Sequence, residues 1–349
     1  MQRVTIALDA MGGDHAPRAP VEAAARVSRE TNIVVVLVGP RDTLRAELDR
    51  VEHRASQIEL CEAPDAIGMA DKPRESLDAK PNASVAVACR AVTDGTADGV
   101  VSAGSTGALV LAAARHVPLL EGVKRAALAA VYPTRARGSS SDRFALLLDV
   151  GATVRCGSEH LVQFAHMGHA YASCVSRVPS PMIGLLNLGA EETKGDETLT
   201  TAHRLLREAV GLNFIGNVEG NDLPRGAADV IVCEGFIGNV VLKMAEGMVE
   251  TFKNLGEYAF KSKLAWRLGL ILLHSGLKQL KAVTDYREYG GAPFLGFSRM
   301  VLKAHGRSEA RAIANAIKVT AKAARGEVPE RIRASIEAVS AAHRKSSPS

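Results

Sequence analysis

Gly99-Val-Val-Ser-Ala-Gly-Ser-Thr-Gly107 is an apolar run that stops at a glycine-bearing turn of small polar residues and passes into a helical pattern. Four other segments share the layout, and most of them lead into a helix. They are Val4-Thr-Ile-Ala-Leu-Asp-Ala-Met-Gly-Gly-Asp14, Leu146-Leu-Leu-Asp-Val-Gly-Ala-Thr153, Ile183-Gly-Leu-Leu-Asn-Leu-Gly189 and Val230-Ile-Val-Cys-Glu-Gly-Phe-Ile-Gly-Asn239. Strand and helix patterns alternate almost throughout, which predicts an α/β protein with a mainly parallel sheet. In an open parallel sheet, strand ends of one sense share an edge, and ligands bind in the crevice there. Free N–H groups at the following helix starts favour an anion. The five turns are therefore expected to gather on one edge, around one cleft for a negatively charged ligand.

Strands are expected at 4–9, 33–38, 98–102, 127–132, 144–149, 182–188, 213–218 and 229–233. Helices are expected near 19–29, over 82–93, 106–115, 159–176 and 197–210, from 239 onward, and over 308–324 and 329–343. The stretch 134–143 reads as a polar, mobile loop and 344–349 as a disordered tail. No tandem repeat or linker interrupts the pattern. Residues 1–343 thus form one catalytic α/β unit, divisible into two lobes around one cleft.

Composition narrows the partners. Aromatic residues are 4% of the chain, too few for nucleobase-stacking platforms, and no Lys/Arg cluster is interleaved with them. Nucleic acid is not an expected partner. The formal charge of +5 suits an acidic partner, a phosphate compound or an anionic surface. The five cysteines are odd in number and form no C-x-x-C pair, so neither a disulfide framework nor a zinc site is expected, and a reduced cytosol fits. Cys233 reads as an inert thiol inside a strand. Met1-Gln-Arg-Val-Thr-Ile6 enters a strand directly, without a signal-peptide layout, and no apolar stretch is long enough to span a bilayer.

The segment 261–281 breaks the α/β pattern. It is apolar, flanked by Lys and Arg, and carries the single tryptophan. With His274-Ser-Gly276 as its turn, a helical hairpin over 246–285 is expected. Two readings stay open. One is a helix buried between two copies of the chain. The other is an amphipathic element on an anionic membrane surface, contacting it through Leu264, Trp266, Leu268, Leu270, Ile271, Leu272 and Leu273.

Several turns carry chemistry. In Ser102-Ala-Gly-Ser-Thr-Gly107, Ser105 or Thr106 can cap the next helix, while Gly104 and Gly107 let backbone approach a ligand. A capped helix without a ligand satisfies the same pattern. Gly12 and Gly13 sit among Asp9, Asp14 and His15, where ordinary turn chemistry competes with an orienting role. No second cluster at ligand spacing supports a metal there. Lys194 in Glu191-Glu-Thr-Lys-Gly195 can meet a phosphate oxygen or simply face solvent. Gly235-Phe-Ile-Gly-Asn239 supplies N–H donors at a helix start, and Gly290-Gly291 lies in Asp285-Tyr-Arg-Glu-Tyr-Gly-Gly-Ala-Pro293, a shaped ligand loop. No Walker phosphate loop, dinucleotide fingerprint or nucleophile elbow is present.

In order along the chain, Asp9-Ala-Met-Gly-Gly-Asp-His-Ala-Pro17, Val101-Ser-Ala-Gly104, Leu148-Asp-Val-Gly151, Leu186-Asn-Leu-Gly189, Lys194-Gly195, Gly235-Phe236, Gly238-Asn239, Tyr289-Gly-Gly-Ala292 and His305-Gly306 resemble the PlsX family of bacterial phosphate acyltransferases. The resemblance implies a three-layer α/β/α fold akin to isocitrate/isopropylmalate dehydrogenase and phosphotransacetylase. It also implies a homodimer in the cytoplasm that associates peripherally with the membrane and uses no cofactor. The implied reaction moves a long-chain acyl group from acyl carrier protein to inorganic phosphate. The acyl phosphate then feeds a membrane glycerol-3-phosphate acyltransferase. Ser105, Thr153, Glu234 and Ile237 depart from the family pattern, where Asn, Asn, Asp and Thr are usual.

The expected site follows. N–H groups and hydroxyls at Gly104 to Gly107 and Gly235 to Asn239, with Lys194, bind phosphate; Gly12, Gly13, Gly290 and Gly291 shape the substrate cleft. Asp14 and His15 position it, and His15 protonates the departing thiolate. Arg287 or the basic hairpin meets the acidic carrier. A hydroxy-acid dehydrogenase of the same fold group would need an aspartate metal cluster and several carboxylate-binding arginines, which are not evident. A non-catalytic scaffold for carrier protein or lipid is the other alternative.

Overall fold

The computed structural model describes residues 3–134, 144–273 and 290–346. The loop at 135–143, the expected hairpin turn at 274–276, the stretch 285–289 and the last residues, 347–349, lie outside that set.

The strands are β1 (Thr5–Asp9), β2 (Val34–Gly39), β3 (Ile58–Glu62), β4 (Gly99–Ser102), β5 (Ala127–Pro133), β6 (Phe144–Leu148), β7 (Met182–Leu186), β8 (Asn213–Val218), β9 (Val230–Val232), β10 (Ala292–Leu295) and β11 (Met300–Lys303). They form one sheet in the order β3-β2-β1-β4-β11-β10-β5-β6-β9-β7-β8. The helices are α1 (Arg18–Glu30), α2 (Arg41–Leu48), α3 (Pro73–Ala79), α4 (Ser84–Thr93), α5 (Thr106–His116), α6 (Ser158–Tyr171), α7 (Glu197–Glu208), α8 (Gly235–Ser262), α9 (Leu264–Leu272), α10 (Ala310–Arg325) and α11 (Val328–Ser346).

Helices cover both faces, because the strands are apolar on both. Along β2, Val36 and Val38 pack with α4 and α5, whereas Val35 and Leu37 pack with α1 and α10. The second half repeats this: Leu147 and Ile231 face the first layer, and Leu146, Val230 and Val232 face α6, α7 and α11. The result is the expected three-layer α/β/α sandwich with a mainly parallel sheet.

One expectation about the sheet is corrected. β1, β2, β3, β4 and β11 run parallel, as do β6, β7, β8 and β9, but the two groups run in opposite senses. The reversal comes from β10 and β5, since β11–β10, β10–β5 and β5–β6 all pair antiparallel. The five turns therefore do not share one edge. They can still meet, because Leu148 at the end of β6 lies opposite Ala129 in the middle of the sheet, one residue from the Leu128–Phe294 pair. β10 and β11 are only four residues each and give no period of their own.

The long apolar helix begins at Gly235 rather than Asn239, so the glycine turn is its first turn. It breaks at Lys263, whose extended backbone (φ −133°, ψ 141°) separates α8 from α9. The apolar segment is therefore jointed at Lys263. Lys263 and Arg267 lie over the Trp266 and Phe260 rings at 5.0 and 4.9 Å. Much of α8 is left uncovered by the described residues: Met244, Met248, Phe252 and Leu255 are all more than half exposed. At the other end, α11 continues to Ser346, so Arg344 and Lys345 lie in a helix where a disordered tail is expected. No described helix is long and apolar enough to cross a membrane.

Candidate active site

Asp9, at the end of β1, is buried and joins three segments. Its Oδ1 accepts from Ser84 Oγ at 2.6 Å, and its Oδ2 accepts from Ser102 Oγ at 2.7 Å. Ser102 Oγ in turn accepts from the amide of Gly104 at 3.0 Å. Burial raises the Asp9 pKa, opposed by the two serine hydrogen bonds and by the charge of Lys303. The β1 and β4 turns touch so closely that a Cβ on Gly12 would stand 2.7 Å from the Gly104 nitrogen, and only glycine fits. The Asp14 amide donates to Gly306 O at 2.9 Å, which adds the turn after β11.

A second knot closes the other half. Buried Asp149 accepts at Oδ1 from the amides of Leu128, Gly151 and Ala152, and at Oδ2 from the amide and hydroxyl of Thr153. Asn239 donates from Nδ2 to Val150 O at 3.1 Å. Gly235 and Gly238 press onto this knot and are buried, so their role here is close packing of α8. Cys233 is buried in the same place, and burial drives its thiol well above the ordinary range, as an inert core thiol requires.

A cavity of about 490 Å³ lies between the two knots. Its lining combines polar and charged residues, among them Asp14, Thr106, Lys243, Glu246, Lys303 and Ser308, with apolar ones such as Leu128, Ala130, Val150, Leu242 and Ala292. Asn239 and Gly291 also border it. At α5, Ser105 occupies the N-cap position, yet no side chain makes a cap hydrogen bond. The first-turn N–H groups thus stay available beside the cavity for an anion.

The structure brings together Asp14, Thr106, Asn239 and Gly291 of the expected site, with Gly12, Gly13, Gly104, Ser105, Gly107, Gly235, Gly238 and Gly290 shaping the turns behind them. It does not bring in His15 or Lys194. His15 is exposed and does not line the cavity. Lys194 is half-exposed, with Nζ 4.0 Å from Glu191. Its strand, β7, is parallel to β6 but lies two places along with β9 between, and its turn does not line the cavity. Of the expected membrane residues, Trp266, Leu268, Ile271, Leu272 and Leu273 are exposed on or just after α9, which also contains Leu264 and Leu270.

Lys303 is the residue that sequence reasoning missed. It ends an apolar strand and lines the cavity, with the residue only 8% exposed. It donates to Ala103 O at 3.3 Å and to Ala304 O. Burial pulls its pKa down to about 8, against the opposing pull of Asp9 and Asp14. A charged residue closing a four-residue apolar strand was the available signal. Among the described residues, no group of three His, Cys, Asp or Glu stands at metal-holding distance.

The fold is a three-layer α/β/α sandwich of the kind seen in phosphotransacetylases. A phosphotransacetylase from Streptococcus pyogenes superposes with a TM-score of 0.64 at 17% identity, over 92% of this chain and 94% of that one. A putative 4-hydroxythreonine-4-phosphate dehydrogenase from Salmonella typhimurium gives 0.50 at 14%, over 92% and 99%. At these identities the likeness is one of fold. The family is shown by sequence: residues 4–331 match the family described as "Fatty acid synthesis protein", and the chain belongs to it. Its relatives include the phosphate acyltransferases of Pelotomaculum thermopropionicum, 42% identical over 96% of this chain and 95% of that protein, and of Dictyoglomus turgidum, 42% identical over 94% and 96%.

Proposed function

We propose that this protein is a phosphate acyltransferase that moves a long-chain acyl group from acyl carrier protein to inorganic phosphate. The observation that carries this reading is that one cavity is lined both by cationic and hydroxyl-bearing residues (Lys303, Thr106, Ser308) and by apolar ones (Leu128, Ala130, Val150, Leu242). The reaction needs both kinds of lining: one for a dianion, the other for a hydrocarbon chain. An oxygen of hydrogen phosphate attacks the thioester carbonyl and forms the new C–O bond. The tetrahedral oxyanion collapses, the C–S bond breaks, and the carrier thiolate leaves. The proton carried by the attacking phosphate ends on the thiolate, giving acyl phosphate and free carrier thiol, so atoms and charge balance. Phosphate is nucleophilic enough near neutrality to need no strong base. The protein desolvates and orients it, with first-turn amides of α5 and Thr106 as donors. Asp14 lies where it can orient the proton in flight.

The uncovered apolar face of α8 is best satisfied by a second copy of the chain, and the exposed side chains of α9 by an anionic membrane surface. These exposed faces support reading the protein as a cytoplasmic homodimer at the membrane, where its product passes to a glycerol-3-phosphate acyltransferase. Residues 1–343 act as the single catalytic unit.

The test mixes the protein with palmitoyl-acyl carrier protein, with and without phosphate. Thiol release is followed, and acyl phosphate is trapped as its hydroxamate. Phosphate-dependent release with trapped product is expected. Carrier binding without turnover would replace the enzyme by a scaffold.

A further inference from the structure

We propose that Lys303 is the cation that binds and orients the phosphate, a role for which sequence reasoning picks Lys194. This rests on the phosphate acyltransferase reading and deepens it. Lys303 is the buried cation of the cavity, set beside Asp14 and Thr106. An ammonium has three N–H donors. Two of them go to Ala103 O and Ala304 O, which fix the head between the ends of β4 and β11. The third remains for a cavity oxygen.

The fixing is built into the backbone. β11 lies beside β4 with Lys303 opposite Ser102, and β10 lies on its other side with Ala292 opposite Lys303. A Cβ on Gly291 would stand 2.5 Å from Lys303 O, so the backbone is pressed close on that flank as well. The stem therefore has little freedom, and the charge is presented at one place. Burial makes that charge costly in the empty site and more effective once an anion arrives, because the low dielectric strengthens the pair. Lys194, half-exposed and facing Glu191, has neither property. The lowered Lys303 pKa, about 8, agrees with a burial that a bound dianion would relieve.

The experiment uses the full chain and the variants K303M and K303R. Binding of inorganic phosphate is measured by titration calorimetry, and the phosphate and carrier Michaelis constants by thiol release. K303M is expected to weaken phosphate binding and raise the phosphate KM more than tenfold, with the carrier KM within twofold. K303R should recover part of the loss. A folded K303M with phosphate affinity and phosphate KM within twofold of wild type overturns the proposal. Should K303M fail to fold, the wild-type pH profile decides. Phosphate affinity should fall about tenfold per pH unit above the Lys303 pKa, and a flat profile from pH 7 to 10 overturns the assignment. Calorimetry separates the two readings: phosphate that binds through Lys303 without acyl phosphate being formed fails the acyltransferase reading alone.

Discussion

The Thr153 hydroxyl donates to Asp149 Oδ2 at 2.9 Å and accepts the amide of Gly235 at 3.2 Å. One buried hydroxyl thus joins the turn after β6 to the first residue of α8. Thr153 departs from the family pattern, yet it keeps both a donor and an acceptor at the junction. Thr153→Val preserves shape and removes both bonds, leaving the buried Gly235 amide unpaired. It is expected to destabilise the fold by about 1–3 kcal/mol. Thr153→Ser should recover most of that loss. Urea denaturation of the three proteins checks it, and equal midpoints for wild type and T153V would remove the hydroxyl from the junction.

Gly238 tests the same junction sterically. A Cβ there would stand 1.9 Å from Asp149 O, a backbone atom fixed by the hydrogen bonds around it. No flexible side chain can give way. Gly238→Ala should cost more than about 3 kcal/mol, at or above the usual range for an overpacked core. Gly247 has open space around its Cβ position, so Gly247→Ala at mid-helix should be neutral or slightly stabilising. Thermal melts of the two variants give the contrast directly, and similar melting temperatures would contradict it.

The two halves of the site differ in how far the sequence reveals them. Ser102 to Gly107 and Gly235 to Asn239 were legible, because glycine at a strand end followed by a helical period has a local cause. Asp9 was legible as a turn residue, but not as the acceptor for Ser84 and Ser102, which lie far along the chain. Lys303 was hidden for a related reason. Its burial depends on β11 entering the sheet beside β4, a pairing across some two hundred residues that leaves no local period. The reversal of sense across β10 and β5 is hidden too, since a strand reads alike in either direction. Lys194 is a different case: β7 runs parallel to β9 and β6, so its turn shares their edge, but it stands two places along from β6 and does not line the cavity.

His166 predicts an acid-sensitive fold. It is buried on α6, its Nδ1 lies 2.7 Å from Ser335 Oγ on α11, and its Nε2 has no partner. Burial, helped by the nearby His169, lowers its pKa to about 4 from the ordinary 6.5. The unfolded chain therefore takes up a proton near 6.5 while the folded chain refuses it. Stability is fully present above about pH 6.5 and falls as pH drops towards 4, by an amount on the order of 3 kcal/mol. Below about pH 4 this contribution levels off. His166→Leu should flatten the slope between pH 6.5 and 4, while acidic-residue effects at lower pH persist. Urea midpoints measured across that range check it; an unchanged slope in the variant would assign the acid sensitivity to other groups.

The α9 surface makes the last prediction. Leu272 is 84% exposed, with Trp266, Leu268 and Ile271 exposed on the same short helix. Lys263 and Arg267 sit at its beginning, beside the Trp266 and Phe260 rings. Cations at headgroup level with leucines beneath are what an interfacial helix needs, and each buried methylene adds about 0.8 kcal/mol to binding. The contact should therefore have two parts, one apolar and one electrostatic. Wild-type protein should sediment with vesicles containing phosphatidylglycerol and bind much less to vesicles of neutral lipid. Raising the salt should weaken binding without abolishing it, because salt screens only the charged part. Leu272→Glu removes apolar area and adds a charge that anionic lipid repels. It should reduce vesicle binding at least tenfold while soluble-substrate turnover stays intact, since Leu272 does not line the cavity. Sedimentation of L272E equal to wild type would show that α9 is not the contact.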